Sequence, residues 1–181
     1  MSNLPTDLVT PEFRCSYLQV FEAREDPNGN FKFSVAMLFP KEGTDIAEIK
    51  TAMNNAVVNK WGDKPPQNMK NPLKDGDIKE NDADKVYAGH WYINASSNEN
   101  RKPGVVDNKL KPIIDQADFY SGCYARAKVN FYGYDNVSKG VGCGLQHIMK
   151  VKDGESLGGS TESAESAFSG FAAPKTVKLA F

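Results

Sequence analysis

The sequence has few of the residues that staple small proteins together or carry out most enzyme chemistry. Its three cysteines lie far apart, at Cys15, Cys123 and Cys143, and no C-x-x-C pair occurs. An odd number of widely spaced cysteines argues against a disulfide framework and a zinc ribbon, so we interpret them as reduced thiols. The two histidines, His90 and His147, leave little material for histidine-dependent catalysis.

Long apolar runs and a basic, apolar leader are also missing. No stretch approaches the ~20 apolar residues of a membrane-spanning helix, and the mean hydropathy is -0.52. The start of the chain, MSNLPTDLVTPEF, lacks the features of a secretory signal. We therefore expect a protein without membrane association. Its 181 residues suit one domain, which is large enough to bury a core without a metal or disulfide staple.

A large excess of charge of either sign is absent as well. The chain has 22 basic and 23 acidic residues, a formal net charge of -1. Acids cluster between Asp75 and Asp84 and again from Asp153 onward, so other surfaces of the body can be locally basic. After residue 152 the composition shifts to Gly, Ser and Glu, which predicts a body over 1–152 and a flexible tail over 153–181.

Period-two alternation of apolar residues predicts a mainly β body. Asn28-Gly29 marks a hairpin turn, and apolar residues three and four apart predict one helix. The predicted strands occupy 12–24, 31–39, 86–95, 122–134 and 138–148, the helix 45–61, a polar loop 63–85 and an irregular arm 96–121. About five strands, with bulges or tight curvature expected at Gly140, Gly142 and Gly144, favour a small closed barrel. A β-sandwich is the competitor, but it usually has more strands and no internal helix.

The strand predicted at 122–134 carries the main functional signal. One of its faces is small and apolar, as expected for a barrel interior. Period two places six other side chains on the opposite face: Tyr124, Arg126, Lys128, Asn130, Tyr132 and Tyr134. Tyrosine rings stack on bases and cations meet phosphates, so this acid-free face predicts binding to single-stranded nucleic acid. The alternative is that the tyrosines cover another element of the protein.

Five residues outside this strand are further candidates for DNA binding. Tyr92 lies on the predicted third strand, where its neighbour Trp91 is better explained as core. Four cations flank the exit of that strand and can line a groove: Arg101, Lys102, Lys109 and Lys111. The predicted interface therefore combines these five with the tyrosines and cations of 122–134.

Patterns for catalysis, metals and cofactors are weak. The glycines at 140, 142 and 144 lack the spacing and the following helix of a dinucleotide-binding fingerprint. The acids between Asp75 and Asp84 do not match an EF-hand loop, because Gly76 is misplaced. No local signature pairs a cysteine or serine with a histidine. We predict no catalytic residue, no metal and no cofactor.

The order of segments resembles a family of tailed-phage single-stranded DNA-binding proteins with an OB fold. The most specific match is the long piece YSGCYARAKVNFYGYDNVSKGVGCGLQHIMKVKDGESLGG at 120–159. Shorter matching pieces are FRCSYLQVFEAR, KFSVAMLFPKEGTDIAEIK, PLKDGD at Pro72–Asp77, YAGHWYINASS at 87–97 and RKPGVVD at 101–107. Together they cover most of residues 12–160. The family's signature is a pattern of the whole chain, so it assigns no individual DNA contacts.

The resemblance implies a five-stranded Greek-key OB barrel with one helix and a flexible C-terminal tail. It further implies a non-enzymatic protein that coats single-stranded DNA, without sequence preference, during phage DNA replication or recombination. Its place would be the cytoplasm of the infected bacterial host. The tail's acids and its terminal Phe181 resemble the ends of other single-stranded DNA-binding proteins, so we expect the tail to compete with DNA and to recruit phage replication proteins.

Two other functions remain open from the residues alone. The acids of 75–84 are consistent with a metal-dependent nuclease or a strand-transfer factor. The tyrosine face of 122–134 is consistent with a phage module that binds another protein. Binding of an oligonucleotide without cleavage in Mg²⁺ distinguishes the first expectation from both.

Overall fold

Period-two alternation in the sequence becomes a set of long strands in the structure, a computed structural model that describes residues 3–78, 82–157 and 168–171. Its strands are β1 (Asp7–Val9), β2 (Phe13–Glu25), β3 (Phe31–Pro40), β4 (Lys74–Asp75), β5 (His90–Asn98), β6 (Gly104–Val106), β7 (Tyr124–Asp135) and β8 (Lys139–Lys152). The α-helix α1 spans Ala47–Trp61, and 3-10 turns lie at Gly76–Ile78, Asp82–Tyr87, Gln116–Asp118 and Ser169–Phe171. No helix among the described residues is both long and apolar enough to span a membrane.

The five long strands pair in a closed ring. β2 is antiparallel to both β3 and β7, and β5 is antiparallel to β3. β8 closes the ring because it pairs with β5 in parallel and with β7 antiparallel. The mainly β, five-stranded prediction is confirmed, and the strand number is that of an OB fold. The short strands add to this ring: β1 pairs with β7, β6 with β8 and β4 with β5.

The hydrophobic core fills the interior of the ring and the space between the ring and α1. Inward residues of β3 and β7, such as Met37 and Val129, are fully buried. The apolar side of α1 presents Ile49, Ala52 and Ala56 to the same core. The hairpin turn is also as predicted, since the Asp26 side chain accepts hydrogen bonds from the N–H groups of Asn28 and Asn30.

The structure corrects two segment boundaries. The third strand begins at His90 rather than at residue 86, because Val86 and Tyr87 belong to the 3-10 turn Asp82–Tyr87. Tyr87 packs on the outer surface of β3 and β5, and its hydroxyl lies 3.1 Å from the Ser16 Oγ. The last strand continues past residue 148 to Lys152.

The prediction of bulges at the three glycines of β8 is wrong. The register shifts between β7 and β8 fall between Tyr124 and Ala125 and between Lys128 and Val129. Gly140, Gly142 and Gly144 instead pair regularly with Tyr134, Tyr132 and Asn130. Each of these glycines leaves space for the β7 side chain that faces it.

Part of the predicted tail lies against the body. Leu157 N–H donates to the Ser121 carbonyl at 3.0 Å, and Arg14 donates to the Glu155 carbonyl at 2.7 Å. The backbone of Gly154 approaches Gly122 so closely that a Cβ there would lie 2.0 Å from the Gly122 carbonyl oxygen. Residues 153–157 thus pack on the ring, whereas 158–167 and 172–181, on which most of the tail prediction falls, lie outside the described residues.

Candidate nucleic-acid interface

The alternation predicted for 122–134 is present in β7. Ala125, Ala127, Val129 and Phe131 are buried in the ring, and the six predicted side chains face outward. They do not form one uniform surface, however. Tyr124 and Tyr132 are eight residues apart, which corresponds to roughly 26 Å along a strand. Different elements lie beside each end of β7, and they divide its face into two regions.

The first region, which we call the Tyr132 groove, is basic and polar. Lys32 of β3 and the end of β5 form one side, and Arg101 and Lys102 lie on the turn that follows β5. The lining residues are Lys32, Ser96, Ser97, Asn98, Arg101, Lys102, Asn130, Tyr132, Gly144, Leu145 and Gln146, around a volume of about 600 Å³. This lining contains three cations and no acid. Lys32 lies 3.9 Å from Asp26, whereas Arg101 and Lys102 are exposed and make no ion pair with another described residue.

Small side chains keep the floor of the Tyr132 groove low. Register pairs join Ser34 to Ser96, Ser96 to Gly144 and Gly144 to Asn130. This line runs across β3, β5, β8 and β7, perpendicular to the strands. Because none of its members has a large side chain, the surface of the ring is low along this line.

Tyr132 supplies the aromatic surface of the groove. It lies directly opposite Gly142 on β8, and 45% of its surface is exposed. Burial of the remainder raises the pKa of the Tyr132 hydroxyl, with smaller contributions from Cys143 and Tyr134. The hydroxyl therefore stays protonated at neutral pH, and the ring adds no negative charge to the groove.

The second region, the Tyr124 cleft, has a lining of mixed charge. Three cations line it together with Tyr124: Arg14, Arg126 and Lys152. The same lining carries four acids: Glu12, Glu42, Asp45 and Glu48.

The cations of the Tyr124 cleft already have partners. Arg126 donates to the Thr10 carbonyl at 3.3 Å, and Arg14 donates to the carbonyls of Gly122 and Glu155. Lys152 lies 3.5 Å from Glu12 and places its ammonium 4.8 Å from the centre of the Tyr124 ring. This end of β7 is therefore less available to an anionic ligand than the Tyr132 groove.

The remaining predicted residues lie in several places. Lys128, between the two regions, forms a 3.2 Å ion pair with Asp7 of β1. Tyr134 is half-buried beside Gly140. Lys109 and Lys111 are exposed on a turn in which the Asp107 carboxylate accepts hydrogen bonds from the backbone N–H groups of both lysines. This turn lies close to Val151, because the Asn108 side chain donates to the Val151 carbonyl. That turn lies roughly 17 Å along β8 from Gln146 and the groove.

Tyr92 is corrected by the structure. Only 8% of its surface is exposed, because Tyr87 packs edge-on against its ring with centroids 4.9 Å apart. The 3-10 turn Asp82–Tyr87 covers this part of β5, which alternation within the strand does not reveal. A buried ring is not available to stack a base, so we remove Tyr92 from the candidate interface.

Lys32, Ser96 and Asn98 are groove residues that the sequence reasoning missed. Lys32 alternates outward from the inward Phe33 on β3, so period two would have placed it on the outer face. Nothing local indicates that β3 and β5 bring it beside Arg101. This proximity depends on the long-range pairing of Lys32 with Asn98.

Two of the acids on which the metal-dependent nuclease alternative rests, Asp75 and Asp77, form ion pairs with a lysine. Lys41 Nζ lies 2.6 Å from Asp75 Oδ1 and 2.7 Å from Asp77 Oδ2, and 4.5 Å from the centre of the Trp91 ring. The hydrogen bond to Lys41 is the main cause that lowers the pKa of both carboxyls. Within residues 3–78, 82–157 and 168–171 there is no group of three or more metal-ligating side chains.

Solved structures with a similar fold include single-stranded DNA-binding proteins of bacteriophages. The structure of the bacteriophage Enc34 protein in complex with single-stranded DNA matches with a TM-score of 0.70 at 24% identity, over 84% of this chain and 90% of that chain. Gp2.5 of bacteriophage T7, a single-stranded DNA-binding protein, matches with a TM-score of 0.57 at 14% identity, over 87% and 97% of the two chains. These likenesses establish the fold.

The family follows from sequence. The model of the Enterobacter phage Enc34 single-stranded DNA-binding protein family matches residues 6–177, and the chain belongs to this family. Protein p50 of Acyrthosiphon pisum secondary endosymbiont phage 1 is 37% identical over 165 residues, which cover 84% of this chain and 87% of that protein.

Proposed function

We propose that this protein binds single-stranded DNA without sequence preference and coats it during phage DNA replication or recombination. The observation that carries the proposal is the Tyr132 groove, whose lining has three cations, an open aromatic ring and no acid. Membership in a family of single-stranded DNA-binding proteins supports the same ligand. Such proteins combine a basic groove with aromatic side chains on which bases stack.

The groove residues divide this work by chemistry. Lys32, Arg101 and Lys102 neutralise phosphates, and Tyr132 stacks on a base. Stacking tolerates any base because each has an aromatic face, so the arrangement favours affinity over sequence discrimination. Four further side chains continue the surface along β7: Tyr124, Arg126, Lys128 and Tyr134. We expect weaker contributions from Arg126 and Lys128, which already have partners, from Tyr124, which lies in a cleft with four acids, and from Tyr134, which is half-buried.

The test of this proposal is the salt dependence of oligonucleotide binding. Fluorescence anisotropy of labelled oligo-dT should show affinity that falls steeply with salt, by roughly -0.7 in the logarithmic slope for each phosphate neutralised. Mixed-sequence oligonucleotides should bind within about tenfold of each other, since stacking reads no base edges. A flat salt response, or a preference above about a hundredfold for one short sequence, would falsify the proposal.

We further propose that the protein acts by binding alone, as a non-enzyme. Lys41 neutralises Asp75 and Asp77, two of the acids that a nuclease would need for its metal. Intact oligonucleotide after incubation with Mg²⁺ is the expected result. Cleavage would favour the nuclease alternative, and failure to bind any oligonucleotide would favour a protein-binding module.

The cytoplasm of the infected bacterial host is the proposed place of action, since the DNA to be coated is there. In the same proposal the acidic tail competes with DNA for the groove and, once displaced, recruits phage replication proteins. A tethered anion acts at high effective concentration. Anisotropy at low salt should show that removal of the tail leaves affinity equal or higher, and a large loss of affinity would contradict the competition.

A further inference from the structure

The exposed ring of Tyr132 lies over a residue that has no side chain. A Cβ built on Gly142 would stand 2.5 Å from Tyr132 Cζ, 2.7 Å from its Oη and 2.8 Å from its Cε2. Similar distances to Cζ and to atoms on two sides of it mean that this point lies over the ring face, not beyond its edge. One face of the ring thus rests on the β8 backbone at Gly142.

Backbone conformation does not explain the glycine. The φ angle of Gly142 lies outside the left-handed region, unlike those of Gly29, Gly43, Gly62, Gly89 and Gly122. Any residue can adopt the strand conformation found at 142. Glycine also weakens a strand, because it loses more backbone entropy and has no side chain to pack. What glycine uniquely offers here is the space that the ring of Tyr132 fills.

The second face of the ring is the one that matters for a ligand. Because the first face is covered by β8, the 45% of Tyr132 that remains exposed belongs to the side turned away from the sheet. That side opens into the groove that Arg101 and Lys102 line. A base stacked on it lies parallel to the sheet surface, with its phosphates beside these cations.

A Cβ at residue 142 would remove this arrangement. Carbon atoms in contact normally stay about 3.5–4.0 Å apart, so the ring would have to shift by roughly 1 Å or rotate away. Tyr132 is at the surface and can rotate without opening the core. The ring would therefore leave its stacking position while the ring of strands stays folded.

We infer that Gly142 is a positioning residue for single-stranded DNA binding, which holds Tyr132 flat so that its outer face is ready to stack on a base. The inference rests on the proposed function and adds a residue that does not touch DNA itself. Preorganised contact surfaces improve affinity because less conformational freedom is lost on binding. The neighbouring register pair, Gly144 and Asn130, has the same arrangement of a side chain over a glycine, since a Cβ on Gly144 would lie 2.4 Å from Asn130 Oδ1.

The test is a double-mutant cycle in the full chain between Gly142→Ala and Tyr132→Ala. Stacking of a base on an aromatic side chain increases affinity by about 5- to 150-fold. We therefore expect Gly142→Ala alone to weaken oligo-dT binding by at least about fivefold. In the Tyr132→Ala background the same substitution should cost nothing further, because the ring it displaces is gone. Coupling of this kind identifies an effect that acts through the tyrosine.

Gly104→Ala is the matched control. Its added Cβ would also overlap a side chain, at 2.6 Å from His147 Nδ1, but neither residue lines the groove. We expect near wild-type affinity from it and unchanged circular dichroism from all variants. Wild-type affinity in Gly142→Ala, or an equal loss with and without Tyr132, overturns the inference. Failure of the wild-type chain to bind oligo-dT instead overturns the proposed function.

Discussion

The two ends of β7 have similar outward side chains but different surroundings. Tyr132 lies in a groove whose lining has three cations and no acid. Tyr124 lies in a cleft whose lining includes four acids, and the cations beside it bond to carbonyls or to Glu12. A strand face with one sequence character therefore provides two surfaces of unequal value to an anion, because neighbouring strands and loops set the local charge.

The largest effect is expected from reversing charge in the Tyr132 groove. Arg101→Glu with Lys102→Glu should weaken oligo-dT binding by about a hundredfold at low salt, because phosphates then meet two anions. The salt slope should also become shallower, by roughly 0.7 for each lost phosphate contact. Fluorescence anisotropy over a salt series measures both quantities.

The control for this charge reversal is a second pair of lysines, which lies outside the Tyr132 groove. Lys109→Glu with Lys111→Glu changes charge by the same amount on the turn near Val151, away from the groove. We expect a much smaller loss, which reflects only the long-range field. Equal losses from the two double variants would show that the groove has no special role.

The next largest effect compares the two tyrosines. Tyr132→Ala should cost roughly 1–3 kcal/mol of binding free energy if its ring stacks on a base. Tyr124→Ala should cost less, because Lys152 lies over its ring and Gly154 packs beside it. Titration of both variants with the same oligonucleotide decides the order, and a larger loss from Tyr124→Ala would place the main contact in the cleft instead.

A smaller effect is expected from two truncations near the Tyr124 cleft. Ending the chain after Leu157 keeps the contacts of Gly154 and Glu155 with the ring, whereas ending it after Lys152 removes them and the acids Asp153 and Glu155. The shorter chain should bind oligo-dT about two- to fivefold more tightly, because Arg14 loses one of its two carbonyl partners, that of Glu155, and nearby negative charge is removed. Weaker binding by a chain that circular dichroism shows to be folded would mean that 153–157 support DNA binding.

The smallest effect is expected at Lys128, which lies between the Tyr132 groove and the Tyr124 cleft. Asp7→Asn removes the ion-pair partner of Lys128, whose side chain lies 3.2 Å away. Exposed ion pairs contribute about 0.2–1 kcal/mol to stability, so thermal unfolding should change little. Release of Lys128 should tighten DNA binding by about twofold, since the cation becomes free to meet phosphate. Asn3, at the same end of the chain, is neutral and exposed, so Asn3→Ala serves as the control.

Much of the fold follows from local patterns. The alternation of β7, the Asn28-Gly29 hairpin and the apolar spacing of α1 each appear in the structure where the sequence indicated them. Two predictions about the outer surface did not hold. Tyr92 is covered by the 3-10 turn Asp82–Tyr87, and the glycines of β8 face β7 side chains instead of forming bulges.

The sequence by itself determined which side chains of β7 point into the ring and which point out, because alternation there follows the period of two within a strand. In β2 the same rule fails, since register shifts after Ser16 leave Tyr17 exposed and Val20 buried. It also determined that the outward face of β7 is aromatic and basic. Only the tertiary structure decided that Lys32 and Arg101 join Tyr132 while acids join Tyr124, because strand register brings together residues from distant parts of the chain. The register of the β7–β8 hairpin places Gly142 opposite Tyr132, and the structure shows that the tyrosine ring lies over this glycine.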